Sequence, residues 1–415
     1  MRQRIIRLIS NPFVKGGAVL TLSAVIVNIC NYFFHFLSAH SLGPKGYGEI
    51  TTFFSYTSII SMPLSVLHTI FTQRISAAKS NRNQYVASLF KYFWLALQKN
   101  WFFFILFLLM TPILPRVTNL SLSSSLFLFP FIILGIFSSF YSSILSGMRF
   151  FTLILVLSSI SGILKIVSII PSYFNLGYTD LVIAIQFITG FCMLFVYYRF
   201  IRTPLNAQSQ SSSVPINSKI INLLKSRQFR ITFLSTVGLA IFGAADILYV
   251  KKFFSPFDSG IYNSWNLLSK SLMYVLGPLL QISFLFFAEG VEEVKSKKIL
   301  ISSFALLTVT VIGSIITYLL FPQFIIKILF GSSFDNLTKY LIYSSFFGFL
   351  YATIIIFNNY FLALKSNKSM IITFLIIPYV ILIFIFGSSL QNVIYYNLAF
   401  SSLIASLYFI AYLKH

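Results

Sequence analysis

Residues 206–218 read NAQSQSSSVPINS, a polar, serine-rich stretch between Arg202 and Arg230 that is too poor in apolar residues to fold by itself. On either side the chain is a succession of apolar runs about 20 residues long, the length a helix needs to cross a bilayer. Six runs begin before the stretch, near Val14, Ile50, Trp101, Ser124, Phe151 and Thr179, and six after it, near Ile231, Ser259, Ile299, Lys339, Met370 and Gln391. The third could start as early as Tyr85, with Lys91 and Lys99 along an interfacial turn. Six crossings return each half to the face on which it began, so halves of like build must be parallel repeats. Their bounds are 1–201 and 230–415, joined by a linker over 202–229.

Composition names the solvent. Of 415 residues 57% are hydrophobic and 9% charged, 30 Lys and Arg against 8 Asp and Glu. A soluble domain carries about 25% charged residues, so this chain could not keep the surface of a water-borne globule wet, and a soluble enzyme is excluded. A net charge of +22 would suggest nucleic acid in a soluble protein. Its distribution says otherwise. With the N-terminus in the cytoplasm, 22 basic residues fall in inside segments and six outside, namely Lys45, Arg116, Lys251, Lys252, Lys327 and Lys339. That bias puts both termini in the cytoplasm and sets the basic connections against anionic lipid, with no nucleic-acid partner. Cys30 and Cys192 lie in apolar runs and define no disulfide framework. The first apolar run lacks a small-residue cleavage pattern at signal-peptide length and reads as an uncleaved helix.

The halves echo one another. Pro44 and Gly48, in the Leu42–Gly48 segment that closes the first span, are matched at an offset of 212 by Pro256 and Gly260. Pro63-Leu64 answers Pro278-Leu279, and the Leu145–Arg149 connection answers Leu362–Lys368. Pro and Gly in Leu42–Gly48 also suit a tight interhelical turn whatever the function. Transporters built from parallel repeats rock about a midplane site. The expected fold is therefore an all-α polytopic membrane protein, with 12 transmembrane helices in two parallel-repeat six-helix bundles around a central cavity.

LGPKGYGEI at Leu42–Ile50, LSGMRFF at Leu145–Phe151, ADILYVKKFFSPFDSGIY at Ala245–Tyr262 and the FP…ILFG pattern at Phe321–Gly331 resemble Wzx-type polysaccharide flippases. These belong to the multidrug/oligosaccharidyl-lipid/polysaccharide (MOP) exporter superfamily, and the resemblance covers nearly the whole chain. It implies a MATE-like, V-shaped pair of bundles in a bacterial inner membrane. The cargo would be an undecaprenyl-diphosphate-linked oligosaccharide repeat unit, for O-antigen, capsule or exopolysaccharide, carried from the cytoplasmic to the outer leaflet. It also implies a monomer in bilayer lipid, with a polysaccharide polymerase and chain-length proteins as neighbours. No cofactor is expected, and coupling to an H+ or Na+ gradient stays open.

An ionisable residue in hydrocarbon costs about 2.5–3.5 kcal/mol, which singles out His35, Lys165, Asp246 and Lys270. All four sit roughly 9–15 Å below the outer surface at 1.5 Å per residue. In the eighth span Asn263, Asn266, Lys270, Tyr274, Gly277 and Gln281 fall within an arc of about 80°, a polar face that lipid would not tolerate. Similar stripes are Thr21, Asn28, Tyr32 and His35 in the first span, Thr51, Ser55, Ser58, Ser65 and Thr69 in the second, and Ser158, Ser161, Gly162, Lys165 and Ser168 in the fifth. The expected substrate-binding residues are Lys270, Lys165, His35, Asn266, Asn263, Tyr274, Gln281 and Asn28, with Asp246 in coupling or gating.

Plainer roles compete with these. Ser and Thr let helices approach closely, and Lys165 lies within snorkelling reach of the interface. Asp246 could neutralise Lys270, Lys251 or Lys252. His35 could be a hydrogen-bonded packing residue as readily as a proton-responsive group, and His68, near the inner end of its span, is a weaker candidate.

Lys165, Lys270 and His35 against Asp246 make a net cationic cavity suited to a diphosphate, which ammonium groups hold as point charges. The lipid tail could stay in the bilayer while the head group crosses, and no covalent chemistry is needed. A MATE-like multidrug or organic-cation antiporter would place an acid in such a cavity, and the interiors of the first six spans contain none. An integral-membrane polysaccharide polymerase or glycosyltransferase would gather carboxylates or His at the outer surface. The outer acids Glu49, Asp180, Asp258 and Asp335 are instead scattered over four connections, without an Asp-x-Asp pair or a metal-spaced His cluster. The chain is not expected to be an enzyme.

Overall fold

Lipid supplies no hydrogen bonds, so a spanning backbone must satisfy its own, and the described chain is almost wholly helical. The computed structural model describes residues 12–78, 81–174, 178–206, 226–271 and 293–414. The N-terminal half holds α1 (Pro12–Ala77), α2 (Arg82–Lys99), α3 (Trp101–Met110), α4 (Leu114–Thr118), α5 (Leu122–Gly147), α6 (Phe151–Val167) and α7 (Thr179–Asn206). The C-terminal half holds α8 (Arg227–Phe242), α9 (Ala245–Phe253), α10 (256–271), α11 (Glu293–Leu320), α12 (Pro322–Leu329), α13 (Leu341–Ala363), α14 (Ile371–Phe386) and α15 (Leu390–Leu413).

Among the described residues, 10 helical stretches are long and apolar enough to cross a membrane. One of them, Thr21–Ala77, has 57 residues and crosses twice. It bends at Gly43, where φ is 63° and ψ −176°. That region is essentially reserved for glycine, and Pro44 then starts the second arm with a preset φ and no N–H to leave unpaired. The second span thus begins at Pro44 rather than near Ile50, and Glu49, expected in a connection, lies inside a helix.

The eighth span starts by a related device at 256. Ser255 Oγ accepts the Asp258 N–H at 3.1 Å and donates to the Asp258 carboxylate at 2.7 Å, capping a helix that opens on Pro256. This span runs to residue 271, the edge of the described segment. Twelve crossings are consistent with this picture. Residues 207–225 of the linker and the Pro278-Leu279 echo lie outside the described residues.

Other spans are less regular than expected. The third is approached through α2, whose exposed Lys91 and Lys99 precede a break at Asn100, and α3 has no buried residue. The seventh is broken at Gly243-Ala244 into α8 and α9. At the end opposite the termini, here the distal end, α12 and the 3-10 helix Ser332–Tyr340 come between the ninth and tenth spans.

Two larger cores and three smaller apolar clusters hold the described helices. One larger core gathers Val86 and Leu89 of α2, Phe140 and Leu145 of α5, and Ile201 of α7. The other gathers Trp265 of α10, Phe347 and Phe357 of α13, Tyr379 of α14 and Tyr408 of α15. Because lipid is as apolar as the helices, packing and buried hydrogen bonds carry more of the association. Asn358 Nδ2 lies 2.6 Å from Ser235 Oγ and 3.0 Å from both Ser369 O and Tyr408 Oη, joining α13 to α8, α15 and the 3-10 helix Asn367–Met370.

The Leu145–Arg149 and Leu362–Lys368 echo extends to the backbone. Arg149 and Lys365 both take left-handed φ, 66° and 54°. Phe150 N–H reaches Leu145 O at 3.0 Å, and Ser366 N–H reaches Phe361 O at 2.9 Å. Both helices end in the same left-handed cap, with a basic residue where glycine is usual.

Replacing Asn358 with Leu should remove one hydrogen bond from each of Ser235 Oγ, Ser369 O and Tyr408 Oη, the last two keeping their bond to each other, and destabilise the C-terminal half by about 1–3 kcal/mol. A lowered unfolding midpoint of the purified protein in detergent would report this; an unchanged midpoint would show that the Asn358 contacts contribute nothing.

Candidate functional site

The echoed Pro–Gly segments meet. A Cβ on Gly48 would lie 2.9 Å from the backbone N of Gly260, so only two glycines allow this approach of α1 to α10. Around the contact a set of polar bonds crosses from one half to the other. Glu49 Oε2 accepts from Lys251 Nζ at 2.5 Å, with the two side chains 11% and 4% exposed. Asn119 Nδ2 donates to Lys251 O at 2.9 Å and Lys252 Nζ donates to Arg116 O, while within the N-terminal half Glu49 Oε1 accepts the Ser121 N–H at 2.7 Å. Asn263 Nδ2 donates to Gly48 O at 3.2 Å and to Thr52 Oγ1 at 3.3 Å. Tyr47 closes the same region edge-on against Phe330 and Phe334.

All these contacts lie at the distal end. Toward the termini the second arm of α1 changes character. Thr51 and Thr52 are buried and Ser55 half-buried, whereas Ser58, Ser65, Thr69 and Gln73 are exposed. Exposed polar side chains along a spanning helix mark a wetted face rather than a lipid one. The halves are joined at the distal end, and on the terminal side of that contact the second arm of α1 carries an exposed polar stripe.

Behind the seam each half keeps a polar cluster. In the N-terminal half Lys165 Nζ donates to Asn31 Oδ1 at 2.8 Å and stands 4.7 Å and 5.0 Å from the ring centres of Phe34 and Phe54. It therefore points into its own bundle instead of snorkelling outward. His35 Nδ1 lies 3.2 Å from Tyr47 Oη, coupling that cluster to the seam. Asn28 is half-buried on the same helix.

In the C-terminal half the cluster fills the break between α8 and α9. Lys270 Nζ donates to Gly243 O, a carbonyl at the end of α8, and Asp246 sits in the first turn of α9. A cation at a helix C-terminus and an anion at an N-terminus both suit the helix dipoles. Asp246, 1% exposed, accepts on Oδ2 from Tyr262 Oη at 2.6 Å, Asn266 Nδ2 at 2.9 Å and Asn397 Nδ2 at 3.4 Å. Tyr379 Oη donates to Asn397 Oδ1 at 2.5 Å. Asp246 Oδ1 has no partner among the described residues.

The face expected on α10 thus divides. Asn263 reaches the other half, while Asn266 and Lys270 turn into their own bundle. Tyr274 and Gln281 lie outside the described residues. His68 sits near Ser142 Oγ, 3.4 Å from its Nε2, far along α1 from either cluster. Of the seam residues, Glu49 and Lys251 were read from the sequence only as charges of outer connections, while Tyr47, Asn119 and the cluster residues Asn31, Tyr379 and Asn397 were not singled out. The signal for the seam was the Pro–Gly echo, which marks where the repeats touch. A lone Asn inside an apolar span would have flagged Asn31 and Asn397.

Two helical halves that meet at the distal end make up the described fold. No protein-family model matches the sequence, and no curated protein matches it. Solved structures do. The MATE multidrug transporter DinF-BH aligns with a TM-score of 0.69 and 16% identity, over 98% of this chain and 96% of that one. An inward-facing multidrug resistance MATE transporter of the MOP superfamily aligns at 0.67 and 12% identity, over 95% of this chain and 98% of that one. The lipid II flippase MurJ in an inward closed conformation aligns at 0.66 and 16% identity, over 95% of this chain and 87% of that one. The chain has the fold of MOP-superfamily transporters.

Glu49→Gln would leave Lys251 buried without its counter-charge, a loss of about 3–5 kcal/mol confined to the sealed state. In a Cys192→Ser background, Ser259→Cys at the seam should then react faster with a membrane-impermeant maleimide. Exchanging the charges, Glu49→Lys with Lys251→Glu, should slow it again. An unchanged rate in Glu49→Gln would mean that the pair does not hold the seam.

Proposed function

We propose that this chain is a flippase that passes the anionic head group of an undecaprenyl-diphosphate-linked oligosaccharide from the cytoplasmic to the outer leaflet by alternating access. The observation that carries the reading is the one-ended seam: a buried Glu49–Lys251 pair and a glycine contact close the distal side, while the polar face of α1 is exposed toward the termini. The excess of basic residues at the terminus end supports a cytoplasmic placement of that end in a bacterial inner membrane.

Interior charge supports the anionic cargo. Residues 1–206 contain two acids, Glu49 and Asp180. Glu49 is neutralised by Lys251, and Asp180 sits at the N-terminus of α7 beside Ser121 and Ser124. Lys165 is left with a neutral amide partner. In the sealed state Lys165 and Lys270 are held by weak, exchangeable acceptors, an amide oxygen and a backbone carbonyl, which a diphosphate could displace as the halves rock. Asp246, ringed by donors on one oxygen and unpartnered on the other among the described residues, is the group placed to act in coupling or gating during that motion. Export of an organic cation, the other activity open to this fold, would have to draw on Asp246, since the N-terminal half offers no free interior acid.

Reconstitution with a fluorescent lipid-diphosphate oligosaccharide, followed between leaflets, tests the reading. The wild-type protein should transfer it, and Lys270→Ala should abolish transfer while remaining inserted and folded. Lys165→Ala should slow transfer about tenfold or more, the effect of losing one charge-assisted contact. Transport of organic cations with no lipid transfer would overturn the assignment.

A further inference from the structure

A cavity of about 270 Å³ lies inside the N-terminal half, between the second arm of α1, the α2–α3 bend and α5. We propose that it seats a stretch of the substrate's polyprenyl chain, an inference that rests on the flippase reading above. The walls are Leu67, Phe71, Phe93, Phe104 and Phe140, and their character is hydrocarbon almost throughout. Of its polar lining, His68 Nε2 lies 3.4 Å from Ser142 Oγ, Ser139 Oγ donates to Leu64 O and Asn100 Nδ2 donates to Ala96 O.

The cavity runs from the core to the lipid. Its floor includes Leu89 and Phe140, 1% and 3% exposed. Its rim includes Asn100, the exposed residue at which α2 and α3 break, and beyond it α3 presents Trp101, Phe102 and Phe103 to the bilayer. Dry apolar cavities of about 150 Å³ already take up benzene or xenon in soluble proteins, because unfilled walls forfeit dispersion contacts. At about 30 Å³ for each water-sized group, this one holds roughly nine such groups, or about two isoprene units. Flat aromatic walls suit the planar double bonds of an isoprenoid better than a coiling saturated chain.

Position argues for the cargo rather than for bulk lipid. On α1 the exposed polar residues Ser58, Ser65 and Thr69 and the cavity residues Leu64, Leu67 and Phe71 lie on faces roughly 150° apart at 100° per residue. One helix, about 10 Å across, thus separates a wetted surface from an apolar slot. An amphiphile with a charged head between the halves and a long chain passing around α1 would use both.

The full-length protein in nanodiscs, irradiated with a polyprenyl diphosphate that bears a diazirine on its chain, tests the site without requiring translocation. Label should map to residues 64–71, 89–104 or 136–140 and be displaced by unlabelled polyprenyl monophosphate. Ala96→Trp, which fills the cavity, should lower that labelling about fivefold or more, as expected for excluding several buried methylene equivalents. The same variant should transfer long-chain substrate with a raised half-saturating concentration, yet handle a two-isoprene analogue as the wild type does. Label confined to other lipid-facing surfaces would overturn the proposal, as would equal displacement by a diacyl phospholipid, which would assign the cavity to bulk lipid. Labelling retained in a protein that moves no lipid-linked sugar would keep the site and refute the flippase reading instead.

Discussion

The approach of Gly48 to Gly260 governs everything else in this molecule. Larger side chains there would separate α1 from α10, and Glu49 could no longer reach Lys251. The glycines do not bind one another strongly; they let two backbones come close enough for polar groups at the rim to complete each other. In a medium that offers no competing water, such close approach is what small residues contribute to helix association. The contact joins positions that match in the two repeats, so it lies where the halves are related by their own symmetry.

Away from this contact the polar residues work inside their own bundles. The break between α8 and α9 frees backbone groups in the membrane interior, and the chain meets that cost with side chains of the appropriate sign, Lys270 at the end of α8 and Asp246 at the start of α9. Tyr262, Asn266, Asn397 and Tyr379 then extend the hydrogen bonding across four spans. Such a network fixes the C-terminal half as one unit, and Lys165 with Asn31 does the same on a smaller scale in the other half. Two internally braced units joined at the seam are what the alternating access proposed above needs.

Much of this was legible in the amino-acid sequence, for reasons that differ between residues. That the chain is an all-helical protein of many apolar spans follows from apolar run length, which the thickness of a bilayer enforces. The repeat was visible in Pro44 and Gly48 against Pro256 and Gly260, because turn chemistry tolerates few alternatives. What a span does internally was not visible. The bend at Gly43 moved Glu49 from a supposed connection into a helix, because one glycine can turn a chain that hydropathy expects to turn over several residues. The orientation of Lys165 and Lys270 was also hidden: a helical wheel sorts residues by face, but whether that face meets a cavity, lipid or a neighbouring carbonyl depends on tertiary packing. Asn263 and Asn266, three residues apart on one predicted face, go to different halves for that reason.

The seam is built to part as much as to hold. Asn263 Oδ1 and Ser259 Oγ are buried there without hydrogen-bond partners among the described residues. A buried polar atom left unpaired costs about 1–3 kcal/mol, and wetting the seam would return that amount. The Glu49–Lys251 pair has the same double character, since the desolvation of two charges offsets much of their attraction. Separating both partners into water together therefore costs far less than removing one of them. A fully apolar contact of the same area would have no such compensation on opening. The polar and imperfectly satisfied chemistry of this contact thus lowers the cost of opening it below that of a fully apolar one, which is what the alternating access proposed above needs.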